Sequence, residues 1–131
     1  MTATYTLGSQ ERIKSQKAID ALFAGGKSQS LSAFPLRLVY LETSCLPSEP
    51  QAQVMVSVSK RYFKRAVKRN RIKRQIREAY RLNKAVLTKP LAHQPERAVL
   101  LAFLWQTDRL MPTAEVETHM KTLLHRLAER L

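Results

Sequence analysis

The sequence predicts a single domain that mixes helices and strands in the order α-β-β-β-α-β-α. Three observations carry that expectation. The chain has 131 residues, which fits one domain with one hydrophobic core, burying about 65–70% of its unfolded surface. Two segments alternate apolar and polar residues with the two-residue period of strands. Others carry apolar residues at helical spacing, at the start, in the middle and at the end of the chain.

Residues 1–10 lack periodicity and are expected to form a flexible tail, leaving 11–131 as the domain. Ser15 suits the N-cap of a short helix reaching Ala24, with Ile19, Leu22 and Phe23 along one side. Gly25-Gly26 can close that helix in the left-handed conformation. A short strand is expected over 27–32. A longer one covers 34–41, where Leu36, Leu38 and Tyr40 alternate with Arg37 and Val39. Pro47 and Pro50 mark 45–53 as a loop. In the strand expected over 54–59, Val54, Val56 and Val58 point one way and Met55, Ser57 and Ser59 the other. One face is apolar and the other suits water or ligand. A long helix is expected over 66–87, with Pro90 preventing its continuing far. The apolar run 98–105 reads as a buried strand. A last helix over 113–131 carries a stripe of Val116, Met120, Leu123, Leu124, Leu127 and Leu131, which reads as core.

Charge is the informative part of the composition. Twenty-three Lys and Arg stand against ten Asp and Glu, a net +13, and a field of that size attracts polyanions. Between Lys60 and Arg81 lie eleven basic residues and one acid, Glu78, so this segment carries +10 of the total. At 100° per residue, Asn70, Arg74, Arg77 and Arg81 fall within about 60° of one another, with Lys73 and Lys84 on their flank. Ile72, Ile76, Ala79 and Tyr80 occupy the opposite side. Such a helix can bury one face while presenting a cationic row. Like charges at this spacing repel by a few tenths of a kcal/mol per pair, and acids at i±4 are nearly absent. A phosphate backbone would offset the repulsion through counterion release and bidentate Arg contacts. Solvated helix faces usually mix signs, and membrane-surface helices carry more Trp, Phe and Leu than this one.

Other classes are set aside on residue grounds. Cys45 is the single cysteine, so neither an intrachain disulfide nor a Cys-rich zinc site can form, and it reads as a spectator thiol near a loop. The first ten residues lack the apolar stretch of a signal peptide, and the run 98–105 is shorter than the roughly 20 residues of a bilayer span. A reduced, cytoplasmic protein is the plain expectation. Metal-dependent nucleases need clustered carboxylates, yet the ten acids are scattered. Glu115 and Glu117, two apart on a helix, do not face each other. His93, His119 and His125 lack metal-ligand spacing. No catalytic or metal-binding residue is therefore expected in this chain.

The string Ser59-Lys60-Arg61, then Arg65-Ala66-Val67-Lys68-Arg69-Asn70-Arg71-Ile72-Lys73-Arg74-Gln75-Ile76-Arg77-Glu78-Ala79-Tyr80-Arg81, resembles the bacterial ribonuclease P protein family. That family's pattern is a Ser-Lys-Lys or Ala-Lys-Lys strand end followed by a basic Arg-Asn-Arg-x-Lys-Arg helix. The pattern continues Arg-Glu-x-Phe, and Tyr80 here stands at the usual Phe. Arg12-Ile13-Lys14, Leu22-Phe23 and Gly26 are similar to the family's first helix and its turn. Roughly residues 11–82 carry the likeness, and it fades from Thr88 onward.

The resemblance implies an α+β fold, a small mixed sheet with a left-handed β-α-β crossover through the basic helix, of the kind found in a small-subunit ribosomal protein. That hand departs from the usual right-handed rule. The resemblance implies a holoenzyme endoribonuclease that removes the 5′ leader of precursor tRNA, with the catalytic centre and its Mg2+ in the RNA subunit. The implied partners are ribonuclease P RNA and precursor tRNA, with neither DNA nor membrane. The RNA-docking set is Lys60, Arg61, Arg65, Lys68, Arg69, Asn70, Arg71, Lys73, Arg74, Arg77 and Arg81. A cleft between the first helix and the sheet would hold the single-stranded leader. Phe23 and Tyr40 would stack on its bases, Ser57 and Ser59 share the face, and Lys60 stands at the rim. Ile19 occupies a usual aromatic position, where apolar contact rather than stacking is open to it. The alternative reading of the same electrostatics is a ribosomal or ribosome-assembly protein, and only the ordered string separates the two.

Overall fold

The computed structural model describes residues 9–24, 26–44 and 49–131. Its elements are α1 (Gln16–Ala24), β1 (Gln29–Ala33), β2 (Leu36–Ser44), β3 (Ala52–Val58), α2 (Ala66–Asn83), α3 (Ala85–Ala92), β4 (Arg97–Trp105) and α4 (Thr113–Arg130). The fold is α+β with one mixed four-stranded sheet in the order β1-β2-β4-β3. β1 pairs β2 and β2 pairs β4 antiparallel, while β3 and β4 run parallel. Parallel neighbours need a crossover, and α2 and α3 supply it.

Side-chain alternation divides the sheet into two faces. On one, Leu31, Leu36, Leu38, Tyr40, Val54, Val56, Val58, Val99, Leu101, Phe103 and Trp105 meet the apolar faces of α2, α3 and α4 in the main core. On the other, Val39 and Ala102 pack beneath Leu22 of α1, with Ile13, Leu41, Met55, Leu100 and Leu104 around them. The molecule therefore has α1, the sheet and the three remaining helices as successive layers. The stripe Val116, Met120, Leu123, Leu124 and Leu127 is buried as its spacing predicts. α1 begins as expected, with the Ser15 Oγ accepting the Ala18 N–H at 3.4 Å. It is followed by Gly26 at φ +74, which suits a residue without a Cβ.

Four expectations are corrected. The helix predicted over 66–87 is two helices, parted at Lys84. There the Asn83 side-chain amide donates to the Ala79 carbonyl at 2.8 Å. The Lys84 ammonium turns inward and donates to both Glu11 carboxylate oxygens, at 2.8 and 3.0 Å. Lys84 is thus buried rather than flanking the cationic row. Second, Pro90 lies inside α3 instead of ending it, and Gln51 secures the turn between α3 and β4. Its side-chain amide donates to the carbonyls of Leu91, Gln94 and Arg97 at 2.7–2.8 Å.

Third, the strands are shifted. β1 runs to Ala33, β2 starts at Leu36 after a turn at Phe34-Pro35, and β3 begins at Ala52 and ends at Val58, before Ser59. Fourth, of the expected tail, residues 1–8 lie outside the described residues, but Ser9–Glu11 form a short 3-10 turn. Arg12 then bridges Val54 in parallel, so the segment lies along the outer edge of β3. Cys45 and Gly25 also lie outside the described residues.

Ile76 is fully buried where α2 meets the sheet. Ile76→Ala is expected to destabilise the fold by about 2–5 kcal/mol, measured as a lower denaturation midpoint with an unchanged slope in urea.

Candidate nucleic-acid interface

The basic helix is aimed by the turn that precedes it. After β3 the chain reverses through residues 59–63, where the Ser59 carbonyl accepts the Tyr62 and Phe63 N–H groups at 3.1 and 3.3 Å. The Ser59 hydroxyl accepts the Arg61 N–H at 3.1 Å, and Phe63 is buried in the core. Arg69 reaches back from the first turn of α2 and donates to the Phe63 and Lys64 carbonyls, at 2.7 and 2.9 Å. Ser59 and Arg69 therefore shape the entry to the helix. The Arg61 guanidinium lies 5.7 Å from the Tyr62 ring centroid.

Ile72, Ile76, Ala79 and Tyr80 bury one face of α2. The opposite face presents Asn70, Arg74, Arg77 and Arg81, which line an open groove of about 480 Å³ together with Glu78 and Arg12. Lys60, Arg61, Arg65, Lys68 and Arg71 are exposed, and Lys73 is half-buried. Among the described residues, Arg65, Lys68, Arg71, Lys73, Arg74 and Arg77 meet no carboxylate within ion-pair distance. Arg81 does, since its Nε donates to Glu78 at 3.0 Å. That hydrogen-bonded contact holds the Glu78 carboxyl below its usual range and raises Arg81 above its own.

Nor does the helix cap itself. Arg65 at the N-cap makes no side-chain cap bond, and the first turn carries no acid. Cations near a helix N-terminus also oppose the macrodipole. The groove is therefore a concentration of positive potential that the chain leaves largely uncompensated.

The second predicted site is split by the sheet. Register places Arg37, Leu104 and Ser57 in one row, and Val39, Ala102 and Met55 in the next. Both rows lie on the α1 side. There Phe23 is 50% exposed, and Ile19 and Ser57 are half-buried. Tyr40 does not join them. It shares its face with Leu36 and Leu38 in the main core and is 2% exposed. Its hydroxyl donates to Gln29 Oε1 at 2.9 Å and accepts from Arg130 at 2.8 Å. A ring enclosed there cannot stack on a base, so the stacking role expected of Tyr40 is withdrawn. Ser59, past the end of β3, gives its hydroxyl to the turn. In their place the alternation puts Arg37 on the cleft face, a placement already implicit in the Arg37/Val39 pattern of β2.

The ribonuclease P family profile matches residues 7–128. The chain belongs to the ribonuclease P protein family. It is 41% identical to the ribonuclease P protein component of Porphyromonas gingivalis, over 96% of this chain and 89% of that one. The corresponding figures for the Chlorobaculum tepidum protein are 37%, 92% and 84%. The RNase P protein from Thermotoga maritima shares the fold, with a TM-score of 0.66 at 18% identity, covering 88% of this chain and 96% of that one. The Staphylococcus aureus protein gives 0.59 at 22%, covering 95% and 93%.

Membership makes the chain a protein subunit of an endoribonuclease of tRNA processing, and it decides against the ribosomal alternative. Among the described residues no three His, Cys, Asp or Glu gather closely enough to hold a metal ion. No described helix is long and apolar enough to cross a membrane.

Tyr40→Phe removes a hydroxyl with two partners inside the fold. It is expected to cost about 0.5–1.5 kcal/mol of stability in a urea titration, with precursor tRNA affinity of the folded variant unchanged.

Proposed function

We propose that α2 docks this subunit on ribonuclease P RNA, and that the sheet face beside α1 holds the single-stranded 5′ leader of precursor tRNA. The observation that carries the docking reading is the row of cations on α2, of which Arg65, Lys68, Arg71, Lys73, Arg74 and Arg77, among the described residues, meet no carboxylate within ion-pair distance. Lys60, Arg61, Lys68, Arg71 and Lys73 extend that row beyond the groove of Asn70, Arg74, Arg77 and Arg81. The leader reading is supported by a half-exposed ring beside hydroxyl and guanidinium groups. Phe23 stacks on a base, for about 1–3 kcal/mol, while Ile19 offers apolar contact. Ser57 and Arg37 meet the leader's polar edges and phosphates. In this proposal the bond-breaking step and its magnesium belong to the RNA. The protein lowers phosphate repulsion and strengthens the grip on substrate.

Reconstitution with ribonuclease P RNA tests the whole. The chain is expected to restore leader cleavage at low magnesium and to cleave nothing alone. No rescue would refute the reading. The triple replacement of Arg71, Arg74 and Arg77 by Gln should flatten the log–log salt dependence of RNA binding by about 2–3 units, since each lost phosphate contact removes about 0.7–0.9. Arg69 is left in place because it holds the entry turn.

Phe23→Ala should weaken precursor tRNA binding to the holoenzyme by about 1–3 kcal/mol and spare mature tRNA. Equal losses for the two ligands would make Phe23 a packing residue.

A further inference from the structure

Arg12 stands outside the basic helix, in the segment before α1, yet it lines the same groove as Asn70, Arg74, Arg77 and Arg81. It is exposed and, among the described residues, meets no carboxylate. Placing it there adds a fourth cation to three that already repel one another, so something must hold it. The backbone is held from one side by β3. Arg12 bridges Val54, the Ile13 N–H donates to the Val54 carbonyl at 2.9 Å, and the Gln53 side chain donates to the Gln10 carbonyl at 2.9 Å.

From the other side the hold is ionic. Glu11 accepts two hydrogen bonds from Lys84, whose side chain is 5% exposed, across 73 residues of sequence. Burial raises the Tyr80 phenol above its usual range, and the Glu11 charge adds to that effect, so the carboxylate acts on the packed face of α2. Lys84 is buried and Glu11 half-buried, and pairs drawn out of water are weak sources of net stability and best attested as devices that set register. Here consecutive residues diverge, Glu11 turning in to Lys84 and Arg12 out into the groove.

We infer that Arg12 is a phosphate-contacting residue of the RNA interface and that the Glu11–Lys84 pair is the positioning element that sets it beside α2. The inference rests on the RNA-docking reading of α2, and its test separates the two. Binding of ribonuclease P RNA to the full chain is titrated against salt for Arg12→Gln, with Arg74→Gln as the reference. Each variant should flatten the log–log slope by about 0.7–0.9 and weaken binding about five- to eightfold at 0.1 M salt, and Arg12→Lys should keep the original slope. If Arg74→Gln flattens the slope and Arg12→Gln does not, the inference falls while the docking reading stands. If neither does, the docking reading fails and takes the inference with it.

The positioning role has its own sign. Glu11→Gln removes a negative charge, which by charge alone would tighten binding to a polyanion. It is instead expected to weaken binding and flatten the slope as Arg12→Gln does, with no further loss when the two are combined. The apolar double variant Glu11→Leu/Lys84→Met, which removes both charges of the pair together, should stay folded by circular dichroism and show the same weakened binding. Unchanged or tighter binding in either variant would overturn the positioning role.

Discussion

Helix α2 keeps its cations in a row because its other face is nailed to the sheet. Ile72, Ile76 and Tyr80 are fully buried and Ala79 nearly so. Burying a large apolar side chain contributes roughly 1.5–3 kcal/mol. Each like-charge pair on the outer face costs a few tenths, and the cations in the first turn oppose the helix dipole by about 0.3–1 kcal/mol each. Packing wins by a clear margin. The helix therefore needs no acids on its outer face to fold, and only Glu78 stands there. A row of cations with one acid among them is tolerable to this fold.

The sheet then keeps the two proposed recognition surfaces apart. Because side chains alternate, a one-residue slip would exchange the faces, and the register across β4 allows no slip. It holds Leu38, Phe103 and Val56 in the main core, while their neighbours Arg37, Leu104 and Ser57 face α1. The proposed RNA surface on α2 and the proposed leader cleft beside α1 thus lie on opposite sides of the sheet. Tyr80 and Phe103, with ring centroids 5.9 Å apart, tie α2 to the central strand that both faces share.

How much of this is legible in the sequence depends on the range of the interactions involved. The buried and charged sides of α2 are legible because both depend on one period within one helix. The cap at Ser15 and the stripe on α4 are legible for the same reason. The family resemblance puts Tyr40 on the leader face, although its alternation with Leu36 and Leu38 points to the core; local pattern is the better guide. The break at Lys84 cannot be read locally, because it depends on Glu11 at the far end of the chain. Without that partner, residues 66–87 scan as one helix. Arg12 is hidden likewise: in sequence it is one cation before a short helix, and only pairing with β3 brings it to the groove.

The edge of β3 explains why the N-terminal segment lies where it does. A parallel edge strand leaves backbone groups open to pairing with another chain. β1, at the opposite edge, is five residues long, with exposed Ser30 and Ser32. At β3 the cover is a single bridge at Arg12 and the bond from Ile13 to Val54. A segment draped over an edge must pass from one face of the sheet to the other. Glu11 accordingly meets Lys84 on the α2 side, while Ile13 packs with Leu22, Val39 and Ala102 beneath α1. Two residues apart, they anchor the chain on opposite faces, and Arg12 between them is left with the groove as its place.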